Sequence, residues 1–221
     1  MTQSALFASI SVFLYFVGFI PYIYHVFHGR VVPHPFSWTI WFIFSATNCY
    51  ILMEVNGIDW SFMSLVLRTG ALLIGLACGW WFIRKIHISK FDYLALILAL
   101  FVIVCINFYG MKQAVIAMVT VDIIVLLPTL KKIWLDPRTE DAFAWLTTGL
   151  SQACLLISLP FFTFENSFFW FYAICVNLLV GLFIHLRFAH KSRTIIWRIE
   201  KVFFSLKEKI SIIFLALKNK V

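Results

Sequence analysis

The chain has 221 residues, of which 62% are hydrophobic and 13% charged, with a formal net charge of +8. Soluble domains are about half apolar and about a quarter charged, so this balance excludes an ordinary soluble fold. The positive charge flanks apolar runs, a pattern that suits anionic lipid headgroups and asks for no nucleic-acid partner.

The apolar residues come in runs of about 20, the length that crosses a hydrocarbon core about 30 Å thick. Lipid offers the backbone no hydrogen-bond partners, so such runs form helices or closed barrel strands. Barrel strands alternate polar and apolar over about 10 residues, and these runs do neither. The expected class is an all-α membrane protein.

Seven spans are predicted in chain order, at about 6–28, 36–53, 60–83, 91–110, 113–134, 142–160 and 166–188. The first lacks a basic leader and is too long for the apolar segment of a signal peptide, so it reads as a span. Within the third, "GLACG" (75–79) offers a small-xxx-small face for close helix packing. Beyond residue 194, Ile196, Ile199, Phe203, Leu206, Ile210, Ile213 and Leu217 recur at steps of three and four, with lysines on other faces. Residues 194–221 therefore read as a basic amphipathic helix on the anionic leaflet; heptad pairing with a second copy into a homo-oligomer is the alternative. All five cysteines (Cys49, Cys78, Cys105, Cys154, Cys175) fall inside spans without a CxxC pair, which suits apolar filler and not disulfides.

Apart from Lys112 and Arg68, every lysine and arginine lies in the 30, 84–90 and 131–138 connections or the C-terminal region. The positive-inside rule then puts that side in the cytoplasm. The N-terminus is expected outside and the C-terminus inside, in a plasma (inner) membrane.

Two connections repeat a spacing. "PYIYHVFHGRVVPHPFSW" at 21–38 and "PTLKKIWLDPRTEDAFAW" at 128–145 each run from proline to tryptophan, at an offset of 107 residues (128 − 21, and 145 − 38). The offset aligns Pro21 with Pro128 and Trp38 with Trp145, and lays spans 1, 2 and 3 on spans 5, 6 and 7. The expected organisation is a three-helix repeat (5–84), a linker helix (90–110) and a second, parallel three-helix repeat (113–189).

With Pro21 and Pro128, the turns "HGRVVPHPFSW" and "LDPRTEDAFAW", and "NLLVG" at 177–181, the chain resembles the PQ-loop superfamily, which includes the SWEET sugar carriers. The resemblance covers roughly residues 5–190. It implies two three-helix bundles working by alternating access, with Pro21 and Pro128 as hinges and Asn177 in the pocket. The chain departs from the pattern in having Tyr22 and Thr129 where the family has glutamine, Gly70 opposite Asn177, and Pro35 and Pro160 at span ends. KDEL-type receptors share the seven-span plan, so a non-transporting receptor or scaffold that reads a carboxylate is the competing class.

Polar residues inside spans mark the candidate site. Arg68 and Asp122 are the two charges deep within spans, at matching depth and of opposite sign. An ionised group there costs at least about 2.5–3.5 kcal/mol, so it needs a partner or water. Two readings follow: a structural ion pair, or a wet pocket in which Arg68 holds an anionic group and Asp122 titrates. The planar fork of arginine suits carboxylate or phosphate better than a sugar hydroxyl. Ser45, Asn48, Gln152 and Asn177 complete the expected pocket, each with interhelical hydrogen bonding as its plainer role. Trp38 and Trp145 begin spans at the cytoplasmic interface, as ordinary belt tryptophans or as an inner gate. His25, His28 and His34 lack the converging ligands of a zinc site, so no metal or cofactor is expected. Nor is an enzyme, since no catalytic motif is present. The expected partner is a small polar solute: a sugar, amino acid, carboxylate or vitamin-like compound.

Overall fold

A computed structural model of the chain describes residues 2–31, 33–81 and 90–190, and within these it leaves out the side chains of Ile106 and Pro128. The described residues hold seven α-helices and no strand: α1 (Gln3–Phe27), α2 (Pro35–Asn56), α3 (Trp60–Trp81), α4 (Lys90–Phe108), α5 (Met111–Leu135), α6 (Ala142–Ser158) and α7 (Phe164–His190). A 3-10 turn, Pro137–Thr139, precedes α6. Five of the helices (α1, α2, α3, α5 and α7) are long and apolar enough to cross a membrane, and α6 is a shorter apolar helix of 17 residues. The chain is a multi-pass, all-helical integral membrane protein. The amphipathic segment 194–221 and the basic residues Arg84 and Lys85 lie outside the described residues.

Local chemistry sets the helix ends. Thr2 caps α1 by accepting from the Ala5 amide at 3.2 Å. Pro35 opens α2 where its missing N–H costs nothing, and Gly57 at φ 77° closes it in a region that L side chains avoid. Asp59 accepts from the Phe62 amide at 2.8 Å ahead of α3. Asp141 accepts from the amides of Phe143 and Ala144 at the start of α6. At α7, Thr163 and Asn166 exchange side-chain-to-amide bonds, 2.8 and 3.2 Å, in a reciprocal cap.

Polar side chains inside the helices largely bond their own backbone one turn back. Thr47 donates to the Ile43 carbonyl, Thr69 to Leu65, Asn107 to Ile103 and Thr120 to Ile116. This satisfies them without a partner helix, which is what hydrocarbon demands.

Helix packing relies on small residues. The seam between α1 and α6 runs nearly their full length. Ser4 donates to the Ser158 carbonyl at 2.6 Å near one end, Ser151 to the Ser11 carbonyl at 2.7 Å in the middle, and His25 meets Asp141 at 2.7 Å at the other end. Helix α3 packs on both α1 and α2. The "GLACG" face serves the second contact, because a Cβ on Gly75 would lie 1.9 Å from the Trp38 ring and one on Gly79 would lie 3.1 Å from Pro35. Helix α7 likewise joins α5 and α6: Val180 and Ile184 cluster with Ile133 of α5 and lean on Ala142 and Trp145 of α6. Helix α4 is wedged between α2 and α5, with Ala95, Ala99 and Val102 buried against Ile40, Phe44 and Met118.

Candidate functional site

A cavity of about 180 Å³ lies between α1–α3 on one side and α5–α7 on the other. Its closed end is formed by Tyr15, Leu65, Arg68, Phe169 and Trp170. Beyond that end, Leu52, Leu65, Leu155, Leu159 and Trp170 form one buried apolar cluster. Asn166 also donates to Asn56 at 2.9 Å there, tying α7 to α2. The opposite, basic end of the cavity reaches His34, Lys132 and Glu140, whose neighbours are the basic connections.

Arg68 is 4% exposed. Its Nη1 donates to the Ser11 hydroxyl at 3.2 Å, and the guanidinium carbon stands 5.1 Å from the Tyr15 ring centre and 5.8 Å from that of Trp170. The ring faces supply negative potential that stabilises a desolvated cation. No carboxylate lies within 4.0 Å of it among the described residues, and its Nε has no hydrogen-bond partner.

Asp122 borders the same cavity from α5. It accepts from the Trp41 indole at 3.2 Å through Oδ1 and from the Tyr172 hydroxyl at 2.9 Å through Oδ2. Two donors converging on separate oxygens is the arrangement an ionised carboxylate takes. Arg68 and Asp122 thus face one space without bonding each other. The structural ion pair, one of two readings of these residues, does not form.

The other expected pocket residues divide. Ser45 lines the cavity, with its hydroxyl 2.6 Å from Thr69. Gln152 and Asn177 line it too and bond each other, Asn177 donating to Gln152 at 3.1 Å. Asn48 is placed elsewhere, as a correction. It is 2% exposed, donates to the Phe44 carbonyl and points its amide at Met118 Sδ, 3.6 Å away on α5. Three residues along the helix leave Asn48 only about 60° round from Ser45, but on the side packed against α5, where Met118 covers it.

Trp38 and Trp145 both line the basic half, but Trp41 stands between them. The Trp38–Trp41 and Trp41–Trp145 ring centres are 5.8 and 5.9 Å apart, both edge-to-face. Trp145 also donates to Glu140 at 3.3 Å, and Glu140 pairs with Lys132 at 2.5 Å. Pro21 sits inside a continuous α1, where its ring leaves the Val17 carbonyl without its usual donor. Helix α5 runs through position 128, while the Pro128 side chain lies outside the described residues. The three histidines take separate partners: His25 meets Asp141, His28 the Tyr24 carbonyl, and His34 approaches Asp92 at 3.6 Å.

Sequence reasoning missed Ser11, Ser151, Trp41 and Tyr172. Serines and aromatics are common in apolar helices, so only their contacts with Arg68 and Asp122 distinguish them. Asp141 and Glu140 were visible as charges in a connection, but a connection gives no reason to place them beside α1 or α5.

Fold and site define a multi-pass helical membrane protein with a charged, aromatic-walled cavity lined by residues of α1, α2, α3, α5, α6 and α7. No family model, curated protein or solved structure matches the chain.

Proposed function

We propose that the protein is a carrier that moves a small polar solute by alternating access between two three-helix bundles, α1–α3 and α5–α7, linked by α4. The observation that carries this reading is the cavity between the bundles, with both deeply placed charges on its wall. Within the triplets α3 touches α1 and α2 and α7 touches α5 and α6, while the α1–α6 seam joins one triplet to the other. The resemblance to the PQ-loop, SWEET-like plan agrees with the two-bundle reading.

With the basic end cytoplasmic, N-terminus outside and C-terminus inside, this conformation faces inward. The apolar cluster around Leu155 and Trp170 closes the outer route. Opening it requires the α1–α6 seam and the α2–α7 contact to part at that end, with Pro21 and Pro128 as hinges, while the basic end closes over Trp38, Trp41 and Trp145. Trp41 touches both the aromatic row and Asp122, so occupancy of the cavity has a direct path to the gate.

The test is solute counterflow in proteoliposomes. A carrier exchanges labelled solute, and exchange falls at least tenfold with Arg68→Ala or Asp122→Asn. Tight binding without exchange would instead make the protein a receptor or scaffold on the same fold.

A further inference from the structure

The two ends of the cavity make different demands. At the basic end Lys132 is paired with Glu140 at 2.5 Å, and His34 approaches Asp92 at 3.6 Å. In the middle, both oxygens of Asp122 already receive donors. At the closed end the balance fails. Arg68 brings a full positive charge with no carboxylate in contact among the described residues, and its Nε is an unpartnered donor. Trp170, 3% exposed and packed against that guanidinium, leaves its indole N–H without an acceptor as well. Both residues line the cavity, and among the described residues the Arg68 charge there has no carboxylate to balance it. A buried donor left without an acceptor is costly, and more so when it is charged.

We infer that the closed end is an anion seat, and that the solute is a small monocarboxylate carried on a flat, ring-sized apolar body. This rests on reading the cavity as the solute site, and it names the class of solute. One uncompensated cation matches one negative charge, whereas a dianionic phosphate would call for more donors than this end provides. The body of the solute follows from the walls. Phe19, Trp41, Phe44, Trp145 and Phe169 are rings that border the same space, and stacked or edge-on contacts with them favour a flat partner. Size agrees, since an engineered cavity of about 150 Å³ accepts benzene and this one measures about 180 Å³.

The experiment uses the purified full-length chain in detergent with benzoate, its neutral isostere benzamide, and glucose, read by tryptophan fluorescence and thermal shift. Benzoate is expected to bind at least tenfold more tightly than benzamide, with glucose weaker still. Arg68→Gln is expected to abolish that preference, lowering benzoate affinity at least tenfold and leaving benzamide within threefold. Equal binding of benzoate and benzamide, tighter binding of glucose, or no binding of benzoate overturns the inference, and these comparisons need no variant. Benzoate binding without benzoate counterflow in proteoliposomes defeats the carrier reading and leaves the seat standing. Glucose counterflow without benzoate binding defeats the seat and leaves the carrier standing.

Discussion

Asp122 shows how tightly single residues are committed in this cavity. Each carboxylate oxygen has its own donor, Trp41 on one and Tyr172 on the other. An asparagine offers only one acceptor oxygen, and its amide would point a donor at a donor. Asp122→Asn should therefore lower stability by about 1–3 kcal/mol, read as a drop in the thermal midpoint. Removing the donor as well, in the Asp122→Asn/Tyr172→Phe double variant, should recover part of that loss. Unchanged stability in the single variant would mean that the two donors have other acceptors. His34, in the connection before α2, gives a pH prediction. Burial pushes its imidazole below the ordinary 6.5, Lys132 adds to this, and Asp92 opposes it in part. The folded chain thus favours neutral His34, so this contribution is present above about pH 6.5 and is lost as pH falls through the depressed folded value. Thermal midpoints should decline below that pH, and His34→Gln should flatten part of the decline. An identical profile in the variant would contradict the assignment. Arg68 and Asp122 were legible in the sequence because a charge inside an apolar run needs an explanation. Ser11, Trp41 and Tyr172 were not, because nothing about a serine or an aromatic in such a run is costly until its neighbour is known.

At the scale of elements, contacts between helices are decided by where side chains are missing. Gly75 receives the Trp38 ring, whereas Gly70, on the same helix, has nothing within 4 Å of the point where a Cβ would stand. Gly75→Val should displace Trp38 and cost about 1–3 kcal/mol by overpacking, while Gly70→Ala should stay within about 0.5 kcal/mol. Thermal unfolding of the two variants side by side checks the contrast, and equal effects would mean that the α2–α3 contact does not depend on the glycine. The hinge reading has its own test. Pro21→Ala restores a donor to the Val17 carbonyl and should slow solute exchange severalfold while leaving equilibrium binding unchanged; a static bend would leave exchange unaltered. Helix positions were readable from apolar run length, and the caps at Asp59, Asp141 and Thr163 were present as turn-forming residues. The face each helix presents was harder to read. Ser45 and Asn48 are three residues apart and both polar, yet only Ser45 borders the cavity, since the Asn48 amide nitrogen finds its partners within packed helices.

For the whole molecule, the arrangement explains why so apolar a chain keeps its few charges where it does. Small and hydroxyl residues bring α1 and α6 together along their length, and α4 fills the wider gap between α2 and α5. The space left among the helices that line it is narrow, ringed by aromatics, and closed at the end away from the basic connections. The offset of 107 residues pointed to two equivalent triplets, but it could not indicate which helices meet across the middle, because that depends on side-chain size along each seam. The central claim is that this space opens in turn to both sides of the membrane. Thr148, on α6 and bordering the cavity, offers the most direct measurement. A single cysteine at Thr148→Cys, in a chain whose five native cysteines are replaced by alanine or serine, is exposed to a membrane-impermeant thiol reagent from each side of sealed vesicles. Alternating access predicts modification from both sides, with saturating solute slowing each. Modification from the basic side alone, with or without solute, would contradict it.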